Sequence, residues 1–445
     1  MRTSQDLALL EPFVPKAAKW LSSHAADGCL SISRRRGRAA LLFVDMNDFV
    51  KVSNGAVREH ALAAASFNHI RPSIYGKRRN LEASARCAAC LRDVLAEYFS
   101  ILADIVSAYD GEVLAFIGDA MLAAWFVRGD MDDDEEMRCA TKRARLCAQG
   151  ILTNVHGRAL KEIVTITLKA MISAGPVVAI PTKFPNHARD VVVIGDAFDD
   201  LRAMKGLMQS GKVVFNALSC ALLASGGNRD TASATTSIFT TLPRARVKEF
   251  IPSHVFNAFA DGLIGFDDKT PSLSEVCTVA FVRFNPKGDD CVVECIGVVH
   301  RVVSQYQGVV LQSIVDDNGP SCLCAFGVPG TPKRGATTRG LRFARDLLNT
   351  LDGALTHARC GLSTGVVNIG AACEVNSKSH SEFSLVGVPV ILAARLADAV
   401  KPGVAAMDEE TRVWAASALN NNARTSRIEL CLKGFPRAMT TFIIE

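Results

Sequence analysis

The sequence predicts an α+β protein built from two copies of one domain. Three observations carry this reading. Apolar stretches of strand character are joined by hairpin signals. Stretches of helical spacing lie between them. The order of these elements then recurs in the second half, with landmark glycines at similar offsets: Gly118 to Gly327, Gly175 to Gly365 and Gly195 to Gly387. Such an offset is too long for a solenoid repeat and indicates a duplicated domain.

In the first copy, ALLFVDMNDF (Ala40 to Phe49) is a strand and Leu81 to Tyr109 a helix. Gly111 to Trp125 forms a hairpin around Gly118-Asp119, followed by a helix from Glu135 to Val155. The strand ITLKAMISAG, the strand VVVIG (Val191 to Gly195) and the amphipathic run DAFDDLRAMKGLM complete it. The second copy has the strand TVAFVRFN (Thr278 to Asn285), a helix ending at Tyr306 and the hairpin GVVLQSIVDDNGPSCLCAFG. The helix Thr338 to Leu355, the strands ARCGLSTG and FSLVG, and the helix VPVILAARLADAV follow. The expected organisation is a helical segment over 1–37, a first domain over 38–220, a linker over 221–275 and a second domain over 276–445.

Composition excludes several classes. In 445 residues, 49% are hydrophobic and 21% charged, values of a globular chain and not of a disordered or collagen-like one. A net charge of +5 is too small to argue for nucleic acid as the main partner. The 14 cysteines include one CxxC, Cys87 and Cys90, but no second pair completes a zinc site, so reduced, mostly buried thiols are expected. No apolar run reaches the ~18 residues that span a bilayer, and the N-terminus lacks the order of a signal peptide. A soluble, cytoplasmic protein is the expectation.

The copies differ where chemistry would sit. FVDMN aligns with FVRFN, placing Arg283 where the first copy has Asp45. FIGDA aligns with AFGVP, placing Val328 opposite Asp119. Two carboxylates, one at a strand end and one at a hairpin tip, suit one or two Mg²⁺ ions on substrate phosphates. The same residues also suit an ordinary strand end and turn. The acidic run Asp130 to Arg138 fits a helix N-terminus and lacks the spacing of a calcium loop. The basic stretch His69 to Asn80 fits a solvated loop, with an acidic surface such as tubulin or phospholipid as the alternative.

Several motifs resemble a known family. ALLFVDMNDF, GDAMLAAW and VVVIGDAFDDLR are similar to the first catalytic domain of a class III nucleotidyl cyclase; CLCAFGVPG, STGVVNIG and FSLVGVPVILAARL are similar to the second. The tandem layout is closest to the bicarbonate-responsive soluble adenylyl cyclases, over about residues 38 to 445. The resemblance implies two ferredoxin-like domains packed as an intramolecular pseudo-dimer with two pockets between them. One pocket would convert ATP to cyclic AMP and pyrophosphate with two Mg²⁺ or Mn²⁺ ions on Asp45, Asp119 and the Met46 carbonyl. Lys169 matches the lysine that contacts the triphosphate, and Arg395 the arginine that stabilises transition-state charge. Ser384 takes the place of an adenine-contacting threonine.

Three positions depart from the family. Ile391 replaces an asparagine and cannot donate a hydrogen bond. Gln312 replaces the lysine that reads adenine; a guanylyl cyclase would have glutamate there. In the second pocket the family binds bicarbonate with a lysine and an arginine; the arginine is Arg202, but the lysine is Ala115, which removes one positive charge. Slow turnover is therefore expected. The alternative is a catalytically degenerate module with a structural or regulatory role, in the cilium or flagellum with which the family is associated, with axonemal partners. That family normally continues into a large C-terminal region, so a short form or a minimal relative is the expectation for this chain.

Overall fold

A computed structural model describes residues 34–47, 74–127, 134–160, 164–184, 189–225, 273–286, 288–351, 357–373, 383–415, 425–433 and 437–444, together with 14, 16–22, 249–251, 256 and 435. The expected linker lies almost wholly outside these residues, as do most of the N-terminal segment and the start of both the basic and the acidic stretch.

The first half runs α1 (Lys16–Ser22), β1 (Arg35–Met46), α2 (Ile74–Ala108), β2 (Glu112–Ile117), β3 (Ala120–Phe126) and α3 (Asp134–Val155). It continues through the two-residue strands β4 (Ala159–Leu160) and β5 (Val164–Thr165), then β6 (Leu168–Lys183), β7 (Arg189–Ile194), α4 (Asp196–Met204), β8 (Val213–Phe215) and α5 (Ala217–Ala224). The second half runs β9 (Leu273–Arg283), α6 (Asp289–Gln305), β10 (Val309–Asp316), β11 (Gly319–Phe326), α7 (Ala336–Leu351), β12 (Arg359–Ala371), β13 (Phe383–Val386) and α8 (Val388–Ala399). It ends with β14 (Ala405–Asp408), α9 (Glu409–Trp414), β15 (Thr425–Leu430) and β16 (Met439–Ile444).

The two sheets repeat one topology. The first has the order β2-β3-β1-β6-β7, the second begins β10-β11-β9-β12, and β13 pairs with β12 as β7 does with β6. An antiparallel β-α-β-β-α-β order with helices over the sheet is the ferredoxin-like arrangement, so the α+β class and the two ferredoxin-like units hold.

Strand β1 is apolar along most of its length because it is covered on both faces. Ala40, Leu42, Val44 and Met46 enter a core beneath α2 and α3. Ala39, Leu41 and Phe43 enter a second core that continues into the other half through Cys277, Val279 and Phe326. Such a strand is a nearly unbroken hydrophobic run, unlike the alternating pattern of a half-solvated one. Trp20 of α1 stacks on Phe126 in this shared core, ring centroids 4.7 Å apart.

Gly195 and Gly387 occupy matching strand-to-helix turns, with φ of 132° and 157°. A Cβ at either would lie 2.8–2.9 Å from a strand carbonyl, of Pro176 and Val366 respectively. Only glycine allows each helix, α4 and α8, to start that close to its sheet.

The paired strands correct one expected equivalence. The first hairpin turns at Gly118-Asp119 and the second at Asp317-Asn318, between Asp316 and Gly319. Gly327 and Val328 follow the far end of β11, so Val328 is not the counterpart of Asp119. The second copy keeps acids at its hairpin tip. The other substitution stands: Asp45 faces Lys169 across β1–β6, and Arg283 faces Arg359 across β9–β12.

Candidate active site

Strand alternation sets the direction of the site. Residues 40, 42, 44 and 46 point to the helices, so Asp45 lies on the face of Leu41 and Phe43. Lys169 lies between Leu168 and Ala170, which join the helix-side core, and so shares the face of Met171. The two partners meet: Lys169 Nζ lies 2.8 Å from Asp45 Oδ2, each side chain about a quarter exposed. The lysine thus has the partner that its position on a packed strand demands.

Asp119 sits at the tip of the β2–β3 hairpin beside this pair. Burial pushes its carboxyl up to about 7, and the neighbouring charge of Asp45 adds to the rise. A backbone hydrogen bond opposes it, and so do the charges of Arg395 and Lys169. Arg395 belongs to α8 of the second half, so residues of both halves converge on one carboxyl. The Arg395 Nε is buried without a hydrogen-bond partner. Met46 buries its side chain in the helix-side core, which leaves its main chain at the strand end.

Tyr98, on α2, is a residue that the sequence reading missed. It is fully buried, and its hydroxyl has no hydrogen-bond partner. Burial first, then the charges of Asp119 and Asp45, hold its phenol well above the ordinary range. Nothing in the local pattern separates this tyrosine from a core aromatic on an amphipathic helix; only the fold brings it to the acids.

The residues fit a hard divalent cation. A carboxyl raised first by burial and then by a second carboxylate, with an orphaned hydroxyl within electrostatic reach, suits a bound cation. Among the described residues no three His, Cys, Asp or Glu side chains gather around one point. Mg²⁺ needs no such cage, since it is commonly held by one or two carboxylates plus water and substrate phosphates.

The remaining expected residues are placed as follows. Gln312, on β10, donates its side-chain N–H to the Phe116 carbonyl of β2 at 2.7 Å, across the two halves. Ile391 packs against the core beneath α2 and α3. Ser384 is half-buried on β13, opposite Gly370. Ala115 is buried in β2 at a bulge opposite β3. Arg202 pairs with Asp199 one turn earlier at 3.2 Å and lies against Gly319 of the second hairpin. Beside it, Lys205 bonds Asp317 at 2.8 Å and also donates to Asn318. Asp316, almost wholly buried, is pushed up to about 6 by burial and by Asp317, against the pull of Arg283. The neighbourhood of Arg202 therefore contains an ion pair between the halves, Lys205 with Asp317.

No family model matches the chain. It is similar to adenylate cyclase type 10 of Mus musculus, with 24% identity over 384 residues, covering 73% of this chain and 23% of that protein. Against adenylate cyclase type 10 of Homo sapiens the identity is 22% over 377 residues, with the same coverage. The chain spans about a quarter of the length of these relatives. Among solved structures it is similar to a class III adenylyl cyclase-like ATP-binding protein from Pseudomonas aeruginosa, with a TM-score of 0.54, 12% identity and 94% of each chain covered. No helix among the described residues is long and apolar enough to cross a membrane. In sequence and in its doubled β-α-β-β-α-β architecture this chain is similar to the tandem-domain class III cyclases of the soluble adenylyl cyclase type.

Proposed function

We propose that the chain converts ATP to cyclic AMP and pyrophosphate, slowly, in the pocket that holds Asp45 and Asp119. The observation that carries this is the convergence of Asp45, Asp119 and Lys169 of the first half with Arg395 of the second. Asp45, Asp119 and the Met46 carbonyl would hold two Mg²⁺ or Mn²⁺ ions. Such ions supply Lewis-acid activation of the ribose 3′-hydroxyl and offset the charge of the leaving pyrophosphate. Lys169 exchanges Asp45 for the triphosphate when substrate enters. Arg395, whose Nε–H is buried without a partner, would offer that donor to the charge that grows during displacement, where a fixed donor is worth several kcal/mol. Ser384 contributes a hydroxyl toward the base. The limits of the two domains, 38–220 and 276–445, belong to the same proposal.

The test is incubation of purified protein with ATP and Mn²⁺, read by cyclic AMP formation. Product that disappears in Asp45→Asn and Asp119→Asn supports the reading; no product beside an active relative overturns it.

Two observations favour a second reading, a module that binds nucleotide without turning it over. Gln312 spends an N–H on Phe116, and Ile391 extends an apolar cluster where the family has an asparagine. In that case the chain acts as a structural or regulatory part of a larger assembly, with the cilium or flagellum as its setting. Binding of ATP and metal without product formation distinguishes this reading from the first.

A further inference from the structure

Arg283 stands in the second sheet where Asp45 stands in the first. Its side chain is 8% exposed, and the guanidinium lies 4.9 Å over the Phe281 ring. Nε donates to Asp398 Oδ1 at 2.5 Å, and Nη1 lies 3.9 Å from Asp316. A guanidinium buried between a ring and two carboxylates has little freedom.

Asp398 lies on α8, three residues after Arg395. Its second oxygen, Oδ2, is 3.9 Å from Arg395 Nη1. One carboxylate thus has one oxygen fixed by a buried arginine and turns the other toward the arginine of the first pocket. Its location is otherwise unfavourable, because an acid in the last turn of a helix opposes the helix dipole. Ile391, one turn before Arg395 on the same face, offers no polar contact.

We propose that Asp398 is a positioning residue for Arg395, and that Arg283 holds it in place. The loss of an acid in the second copy is then a change of use: the arginine that replaced it steadies the neighbouring site from behind. The proposal rests on the cyclase reading of the first pocket. Drawn toward Asp398 at one end, Arg395 would be biased toward one orientation, with its Nε–H left for the triphosphate, and less side-chain freedom is lost when charge develops there. Contact only with developing charge changes kcat and leaves ground-state binding alone.

The test compares the full chain with Asp398→Asn, Arg395→Ala and the double variant. Three readouts are used: kcat and KM for ATP with Mn²⁺, binding of Mn²⁺ with a non-reactive ATP analogue, and the side-chain Nε–H spectrum of ¹⁵N-arginine-labelled protein. Asp398→Asn is expected to lower kcat about tenfold with KM and analogue binding within twofold, to add nothing to Arg395→Ala, and to shift or broaden the Arg395 resonance. A side chain that only ties helix to strand would lower the melting temperature and leave kcat and the Arg395 resonance unchanged; that result overturns the proposal. If the wild-type chain forms no product, the cyclase reading fails by itself. The spectrum then decides the geometry: an Arg395 resonance that moves in Asp398→Asn supports it, and an unmoved one overturns it.

Discussion

Lys169 and Asp45 are register partners on adjacent strands and are joined by a 2.8 Å ion pair. In the absence of a ligand the lysine therefore occupies the carboxylate that a metal would use. Lys169→Ala should tighten Mn²⁺ binding to the nucleotide-free protein by a few-fold, on the scale of a partly exposed pair worth about 1 kcal/mol. The same substitution should weaken binding of the nucleotide, since the triphosphate loses its cation. Titration of Mn²⁺ with and without an ATP analogue checks both directions.

The raised carboxyl of Asp119, about 7, sets the pH response of the site. Below that value the ligand-free protein holds a proton that a cation must displace. Mn²⁺ affinity should fall toward tenfold per pH unit below 7 and level off above it. Calorimetry in buffers of different ionisation heat should show proton release near pH 6.5 and little at pH 8.5.

Tyr98 buries a hydroxyl without a partner, within electrostatic reach of the two acids. Tyr98→Phe should leave the metal-free protein as stable as before or more so by about 1 kcal/mol, because an unsatisfied polar group is removed. Metal–nucleotide affinity should drop if the hydroxyl serves the loaded site. Chemical denaturation of the metal-free protein, paired with analogue binding, separates the two effects.

Asp316 supplies a stability test in the second pocket. Its folded-state carboxyl, about 6, is raised above the ordinary value, so folding favours the protonated acid. The stability it contributes is complete below about pH 4 and is lost as pH rises through 6. Asp316→Asn should be more stable than wild type at pH 8, by on the order of 2 kcal/mol, and equal to it near pH 4. Melting temperatures of both proteins across that range would show the two curves converge.

Ile391→Asn restores an amide next to Arg395 on α8. It removes part of an apolar cluster, so a cost of about 1–2 kcal/mol in stability is expected. Turnover should rise by several-fold, read as cyclic AMP per unit of folded protein.

Much of the fold was legible in the residues. The strand containing Ala40–Val44 shows because burial on both faces leaves an unbroken apolar run, and the hairpin at Gly118-Asp119 shows through its turn residues. The second hairpin was harder. AFGVP imitates FIGDA in sequence, yet Gly327 closes a strand while Asp317-Asn318 makes the turn. Strand pairing decides that, and one sequence does not display it. The Asp45–Lys169 pair could be placed by motif, but Tyr98, Asp398 and Lys205 could not. Asp398 meets Arg283, and Lys205 meets Asp317, from the opposite end or the other half of the fold, and Tyr98 approaches the acids from a separate helix, so packing alone brings them into position.

The core that runs from Trp20, Leu41 and Phe43 through Cys277 and Val279 to Phe326 belongs to neither half alone. A cut between the halves would leave each with an uncovered apolar face, prone to association with other chains. The duplicated units are therefore expected to melt together in a single transition. Any change that loosens one pocket is then felt in the other through shared stability, even where no side chain connects them.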